Sequence, residues 1–436
     1  MSKNNNTGEP KRKLRWLKLD NAAKIYPAAK RRSWSNVFRL SAELTEEVDK
    51  VVLQAALDVT VKRFPSIAVR LRRGLFWYYL EELREAPRVM EDKSYPLSRM
   101  PFDDIRKCAF RVLLYKKRIA VEFFHAVTDG NGGLVFLKTL VSEYIKEKYG
   151  EEIPSTDGVL DVTEKPSEDE LHDSFPDYTG TVPKSRAESN AYKIDGTPET
   201  DGFFNLVSLS VDAGEILAAA KERGVTLTVF ICAALMRALL NIQERRVKNP
   251  KRYKPIKVLI PVNLRKMFES SSLRNFVLYV TPGIDPRLGE WSFDEICKSV
   301  HHQMALEITE KEMRSRITKN VGQEQSMLVR VIPLALKNLI MKAVYNAVGE
   351  KKSCLTFSNL GVVKVPKEME KYVTRMDFVL GIAATLHYIC GAMSYNGDFR
   401  MSFIRDIKEP ELEYEFHKVM RLLGIRMKAE SNSREE

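Results

Sequence analysis

Apolar positions along this chain switch repeatedly between a spacing of two and a spacing of three to four, which predicts strands mixed with helices. A strand is predicted at Ser35–Leu40 and a helix from Thr45 to about Phe64, with Thr45 as its cap and Glu46 and Glu47 in an acidic first turn. Strands follow over Ala68–Arg72, Leu75–Glu81, Ala109–Tyr115 and Arg118–Phe124, the last reading RIAVEFF in near alternation. From Leu134, LVFLKTLVSEYIKEKYG returns to helical spacing.

Residues 151–201 are acidic, polar and proline-containing, with little periodicity, and read as a long connection. Beyond it the mixture recurs: strand Phe204–Val211, helices Asp212–Arg223 and Thr226–Gln243, then strands Ile256–Val262 and Val277–Pro282. Helices are expected between Trp291 and Val348, strands around Leu355, Phe378, Tyr388 and Met401, and a closing helix from Pro410. Strands mixed with helices on both sides argue for two α/β sandwiches, and no short-period repeat is present. The organisation expected is a flexible basic arm (1–18), a first unit (19–150), the connection (151–201) and a second unit (202–436).

Composition bears this out only in outline: 436 residues, 44% of them hydrophobic, suffice for two ordinary cores. The five cysteines, Cys108, Cys232, Cys297, Cys354 and Cys390, are odd in number and mostly set in apolar runs, so they read as buried free thiols in a reducing cytoplasm. The N-terminal arm lacks an apolar run of signal-peptide length, and a cytoplasmic protein without export is expected. TLTVFICAALMRALL from Thr226 and FVLGIAATLHYICGAM from Phe378 fall short of the ~18 to 20 clean apolar residues of a spanning helix. No transmembrane segment is predicted. The net charge of +12 is scattered, without a helix-turn-helix, zinc-finger or aromatic-basic signature, which argues against nucleic acid. A phosphate-bearing co-substrate suits that charge equally well.

Chemistry concentrates at VEFFHAVTDGNGG, Val121–Gly133. His125 ends the predicted strand, Asp129 and Gly130 break it, and Asn131, Gly132 and Gly133 allow backbone angles that bulkier residues resist. A neutral histidine on such a loop can accept a proton near physiological pH. A His and Asp at this spacing can equally be a hydrogen-bonded pair that tidies a turn. The spacing also suits two metal ligands on one helical face, but no second His or Cys cluster completes a site, and no metal is expected. His301 and His302 read as solvent-facing or half-buried structural residues, and His387 as a satisfied histidine in a core strand. Met327–Val348 has a Met- and Leu-rich face that either lines a lipophilic tunnel, touches a membrane, or packs as a helix pair on the second core, broken near Pro333.

The order HAVTDG, PVNLR (Pro261–Arg265), LRNFVLYVTP (Leu273–Pro282), TFSNLG (Thr356–Gly361) and MSYNGDFRMSF (Met393–Phe403) resembles the chloramphenicol-acetyltransferase-like superfamily of acyl-CoA-dependent acyltransferases. The bacterial alcohol-acetyltransferase-like proteins are the nearest likeness, with peptide-synthetase condensation domains and plant acyltransferases more distant. The resemblance spans about Leu19 to Gly424. It implies two α/β sandwich subdomains forming a V, with the active-site tunnel between them and His125 at its centre. It implies that His125 takes the proton from an alcohol or amine acceptor, which attacks an acyl-CoA thioester without an acyl-enzyme. Asp129 then faces away from substrate and pairs with Arg265, Gly130 permits the turn, and Ser358, Asn359 or Asn275 could stabilise the oxyanion or contact substrate. Those three residue types suit a strand-end turn equally well. Where many relatives have two adjacent histidines, this chain has Phe124 first. No bound cofactor is expected, with acyl-CoA as co-substrate, a short or medium acyl group and a monomer. The rivals are a non-catalytic binding or scaffold protein of the same fold and a stand-alone condensation-type domain using an acyl carrier protein; an intact His125, Asp129 and Arg265 favours the enzyme.

Overall fold

The computed structural model describes residues 14–29, 36–93, 95–180, 190–325, 332–344, 351–382 and 386–432. Its described strands form two main sheets and one small one. The first sheet runs in the order Val373–Leu380, Val37–Leu44, Arg118–Phe124, Phe110–Tyr115, Met90–Glu91. The second runs Val277–Val280, Ile256–Asn263, Leu355–Val363, Tyr388–Tyr395, Asp398–Arg405, Asn205–Asp212, Lys428–Ser431, with Gly283–Ile284 beside Ile256–Asn263. Leu355–Val363 is parallel to both its neighbours, whereas the other pairs in this sheet are antiparallel. Each sheet carries its own apolar core, so the protein has the mixed α/β, two-subdomain architecture expected.

Local reading held where periodicity and caps agree. Leu227–Arg246 starts behind Thr226, whose side chain accepts from Val229 N, and Ala213–Glu222 starts behind Asp212, which accepts from Glu215 N. Elsewhere tertiary contacts moved the boundaries. The helix expected from Thr45 is Lys50–Arg63, capped by Asp49 through Val51 N and Val52 N. Thr45 N donates instead to Tyr372 O and Val48 N to Lys116 O, so backbone bonding holds 45–48 out of the helix. Arg118–Phe124 is buried on both faces rather than alternating, because Glu122 is paired with Arg39 and Arg111 and carries no exposed surface.

Other expectations need correction. Of the arm expected at 1–18, residues 1–13 lie outside the described part, and Trp16–Lys18 is a strand on Tyr78–Glu82. The connection is no loose tether either, since Phe175, Tyr192 and Ile194 enter the second core and Arg63 clamps Glu170 at 2.5 Å. Val373–Leu380 leaves the second unit to pair with Val37–Leu44, so 202–436 is not one spatial body. Gly391 permits that crossing: a Cβ there would stand 2.8 Å from Phe378 O. Leu227–Arg246 is in fact long and apolar enough to cross a membrane, but 72% of its apolar window is buried in the second subdomain, where it is a core helix.

Of Met327–Val348, residues 326–331 and 345–350 lie outside the described part. The described helix Leu334–Val344 packs not on the second core but against the first subdomain's Ile25–Ala29, with Lys337 Nζ 3.4 Å from the Trp77 ring centroid. His387 is half-buried at the edge of Tyr388–Tyr395, 2.7 Å from Asp406. The cysteines are free thiols, Cys108 partly buried and the others buried.

Candidate active site

His125 follows the central strand Arg118–Phe124 and is tied to the residue before the strand Val37–Leu44 by its own N–H, which donates to Asn36 O at 2.8 Å. Its imidazole is sandwiched by aromatic rings. Tyr26 stacks on it with centroids 4.8 Å apart, and Phe38 meets it edge-on at 5.1 Å. Nδ1 lies 3.2 Å from Asn275 Oδ1. No hydrogen bond engages Nε2 among the described residues. Burial pushes the imidazole below the ordinary histidine value, opposed by a hydrogen bond to its own backbone, then by the Asp129 charge and the Asn275 contact. A neutral imidazole therefore prevails near pH 7.

Asp129 caps the helix Gly130–Tyr149, Oδ1 accepting from Asn131 N and Gly132 N at 3.1 Å each. Its Oδ2 reaches into the other subdomain, accepting from Arg265 Nη1 at 2.8 Å and Phe276 N at 3.0 Å. Arg265 also donates to Ser272 O, Asn263 Oδ1 and Arg274 O, and so shapes the loop that carries Asn275. The carboxylate thus serves as a cap and as a clamp between halves.

The glycines act differently from expectation. Gly130, Gly132 and Gly133 sit in the first helical turn, and none has the left-handed backbone that would demand glycine. Close approach explains Gly132: a Cβ there would lie 2.3 Å from Leu273 O and 2.2 Å from Thr128 Oγ1. Thr128 Oγ1 donates to that same Leu273 O at 2.7 Å, drawing the two subdomains together. A Cβ on Gly130 would be 2.8 Å from Leu360 of TFSNLG, so the strand Leu355–Val363 abuts the histidine loop.

The oxyanion candidates separate. Asn275 is 3% exposed, and both ends of its amide are engaged, Oδ1 at His125 Nδ1 and Nδ2 at Asp20 Oδ2 3.2 Å away. Asn359 holds its own turn, Oδ1 accepting from Gly361 N and Nδ2 donating to Thr228 Oγ1. Ser358 is partly buried on Leu355–Val363, where its backbone pairs with Gly391 and its hydroxyl makes no hydrogen bond among the described residues. Asp20 and Tyr26 were not singled out by sequence reasoning. Their segment, LDNAAKIY, has no motif, and Asp20 meets Asn275 across 255 positions.

Among the described residues no group of three or more His, Cys, Asp or Glu side chains is placed to hold a metal. A cavity of about 310 Å³ is lined by second-subdomain residues such as Lys257, Asp285 and Gln303, and His125 is not among its lining residues.

No protein-family model and no curated protein sequence matches the chain. Solved structures do. A trichothecene 15-O-acetyltransferase from Fusarium sporotrichioides superposes with a TM-score of 0.61 at 12% identity, covering 94% of both chains. The chain has the chloramphenicol-acetyltransferase-like fold. A second structure with this chloramphenicol-acetyltransferase-like fold, TRI101 of F. sporotrichioides complexed with coenzyme A and T-2, gives 0.59 at 12% identity over 96% of this chain and 99% of that one. The epimerization domain of tyrocidine synthetase B gives 0.59 at 13% identity, covering 94% and 96%. Acetyltransferases and peptide-synthetase domains thus share this fold with the present chain.

Proposed function

We propose that the protein is an acyl-CoA-dependent acyltransferase with His125 as general base. The observation that carries this reading is the imidazole itself: ring-stacked, bonded at Nδ1 and, among the described residues, unengaged at Nε2, at the seam where Thr128 and Asp129 bind the second subdomain. Nε2 would take the proton of an acceptor hydroxyl, or less favourably an amine, as its oxygen attacks the thioester carbonyl. Collapse of the tetrahedral oxyanion breaks the C–S bond, and the imidazolium returns the proton to the departing thiolate. No acyl-enzyme is needed.

Ser358 is the proposed oxyanion donor, since Asn275 and Asn359 are already committed. Asp129, Gly130 and Arg265 support the loop. The net charge of +12 favours the approach of a phosphate-rich donor. A short or medium acyl group, a monomer and a cytoplasmic setting complete the proposal, with no bound cofactor or metal. The test is thiol release from a panel of acyl-CoA thioesters with mixed alcohols and amines, and one arm with an acyl carrier protein thioester. Acceptor-dependent release that His125→Ala loses while folded is expected. Its absence across all donors, or full activity in the variant, refutes the proposal.

A further inference from the structure

Asp20 is fully buried, and its carboxylate touches the chain that ends at the imidazole. Oδ1 accepts from Ala23 N at 2.7 Å, and Oδ2 accepts from Asn275 Nδ2 at 3.2 Å. Arg274 Nη2 stands 3.9 Å from that same Oδ2 and donates to Lys18 O, which pins the N-terminal segment in place. Asp173 and Tyr26 also lie within electrostatic range of Asp20. Beyond Asn275, the imidazole faces Tyr26, Phe38, the charge of Asp129 and a hydrogen bond to its own backbone, which acts on the ring alongside Asn275.

An ionised carboxylate only accepts, and a primary amide donates from one end and accepts at the other. With Nδ2 held by Asp20, Asn275 can offer His125 nothing but its carbonyl oxygen. A flipped amide would set two acceptors face to face in a dry interior, where such mismatches are costly. The nitrogen 3.2 Å from that oxygen must therefore be the one that carries hydrogen.

We propose that Asp20 is a positioning residue which, through Asn275, fixes His125 as the tautomer with hydrogen on Nδ1 and the lone pair on Nε2. This rests on the reading of His125 as the base and names the device that points its basic nitrogen away from Asn275. It also makes the site depend on both ends of the fold, since Asp20 precedes the first main strand and Asn275 belongs to the second subdomain.

The experiment is nitrogen NMR of the full chain carrying 15N-histidine, at a pH where the imidazole is neutral, with the His125 signals assigned by their loss in His125→Gln. Bare and protonated ring nitrogens resonate far apart, so the tautomer is read directly. Wild type is expected to show hydrogen on Nδ1. Asp20→Ala should redistribute it between the two nitrogens. Asp20→Asn, which fills the same space but can donate or accept, should do the same and serves if the alanine variant does not fold. Hydrogen on Nε2 in wild type, or an unchanged tautomer in the variants, overturns the proposal. In turnover, both variants should lose kcat with little change in acyl-donor KM. About 10- to 100-fold is expected, as when the partner that orients a metal-bound histidine is removed. The NMR result needs no turnover, so inactive wild type with the expected tautomer refutes the acyltransferase reading alone.

Discussion

Replacing Asp129 by asparagine tests whether this carboxylate is a structural clamp. The variant keeps Oδ1 as the cap for Asn131 N and Gly132 N, so the helix start is preserved. At the other end an NH₂ group would confront two donors, Arg265 Nη1 and Phe276 N, now 2.8 and 3.0 Å from Oδ2. Breaking one side of a buried pair costs about 3–5 kcal/mol, and an orphaned backbone donor about 1–3 kcal/mol. Both losses fall on one oxygen, and Arg265 keeps its bonds to Ser272 O and Asn263 Oδ1, so they overlap. We expect about 4 kcal/mol, a large share of the ~5–15 kcal/mol that stabilises a typical fold. Urea unfolding followed by circular dichroism measures it as a lower midpoint at an unchanged slope. Adding Arg265→Met removes the stranded cation, so the double variant should lose at least about 1 kcal/mol less than the sum of the singles. A single variant within about 1 kcal/mol of wild type, or strictly additive losses, refutes the clamp.

Two further outcomes are expected. Gly132→Ala drives a methyl group into Leu273 O and Thr128 Oγ1 and should destabilise by about 1–3 kcal/mol in thermal unfolding; a neutral variant would show that the seam between subdomains is not tight. Burial raises Asp20 from 3.8 to about 6, so the native state binds its proton more tightly than the unfolded chain does. Its contribution to stability is complete below pH 3.8 and lost as pH rises through about 6, leaving a penalty of about 3 kcal/mol at neutral pH. Asp20→Asn should therefore be more stable than wild type at pH 7.5, with the gap closing by pH 4. A variant less stable at pH 7.5 refutes this.

Much of the local structure was legible before any coordinates. Strand Arg118–Phe124, the helix after the histidine loop and the helix starts near Asp212 and Thr226 follow from interactions among residues close in sequence. The histidine, the aspartate and the arginine were legible too, through the order of motifs. The cap at Asp49 rather than Thr45 was not, because bonds to Tyr372 O and Lys116 O decided it from far along the chain.

The sequence alone indicates most segments as helix or strand and singles out His125 as the candidate for proton transfer, because periodicity and side-chain chemistry are local. Closure of the chain decides what surrounds that nitrogen. Val373–Leu380 completes the first sheet from the second half, Gly132 is required by a carbonyl of the other subdomain, and Asp20 reaches His125 only through Asn275. Each depends on backbone approach between residues more than 100 positions apart, for which neither composition nor spacing leaves a trace.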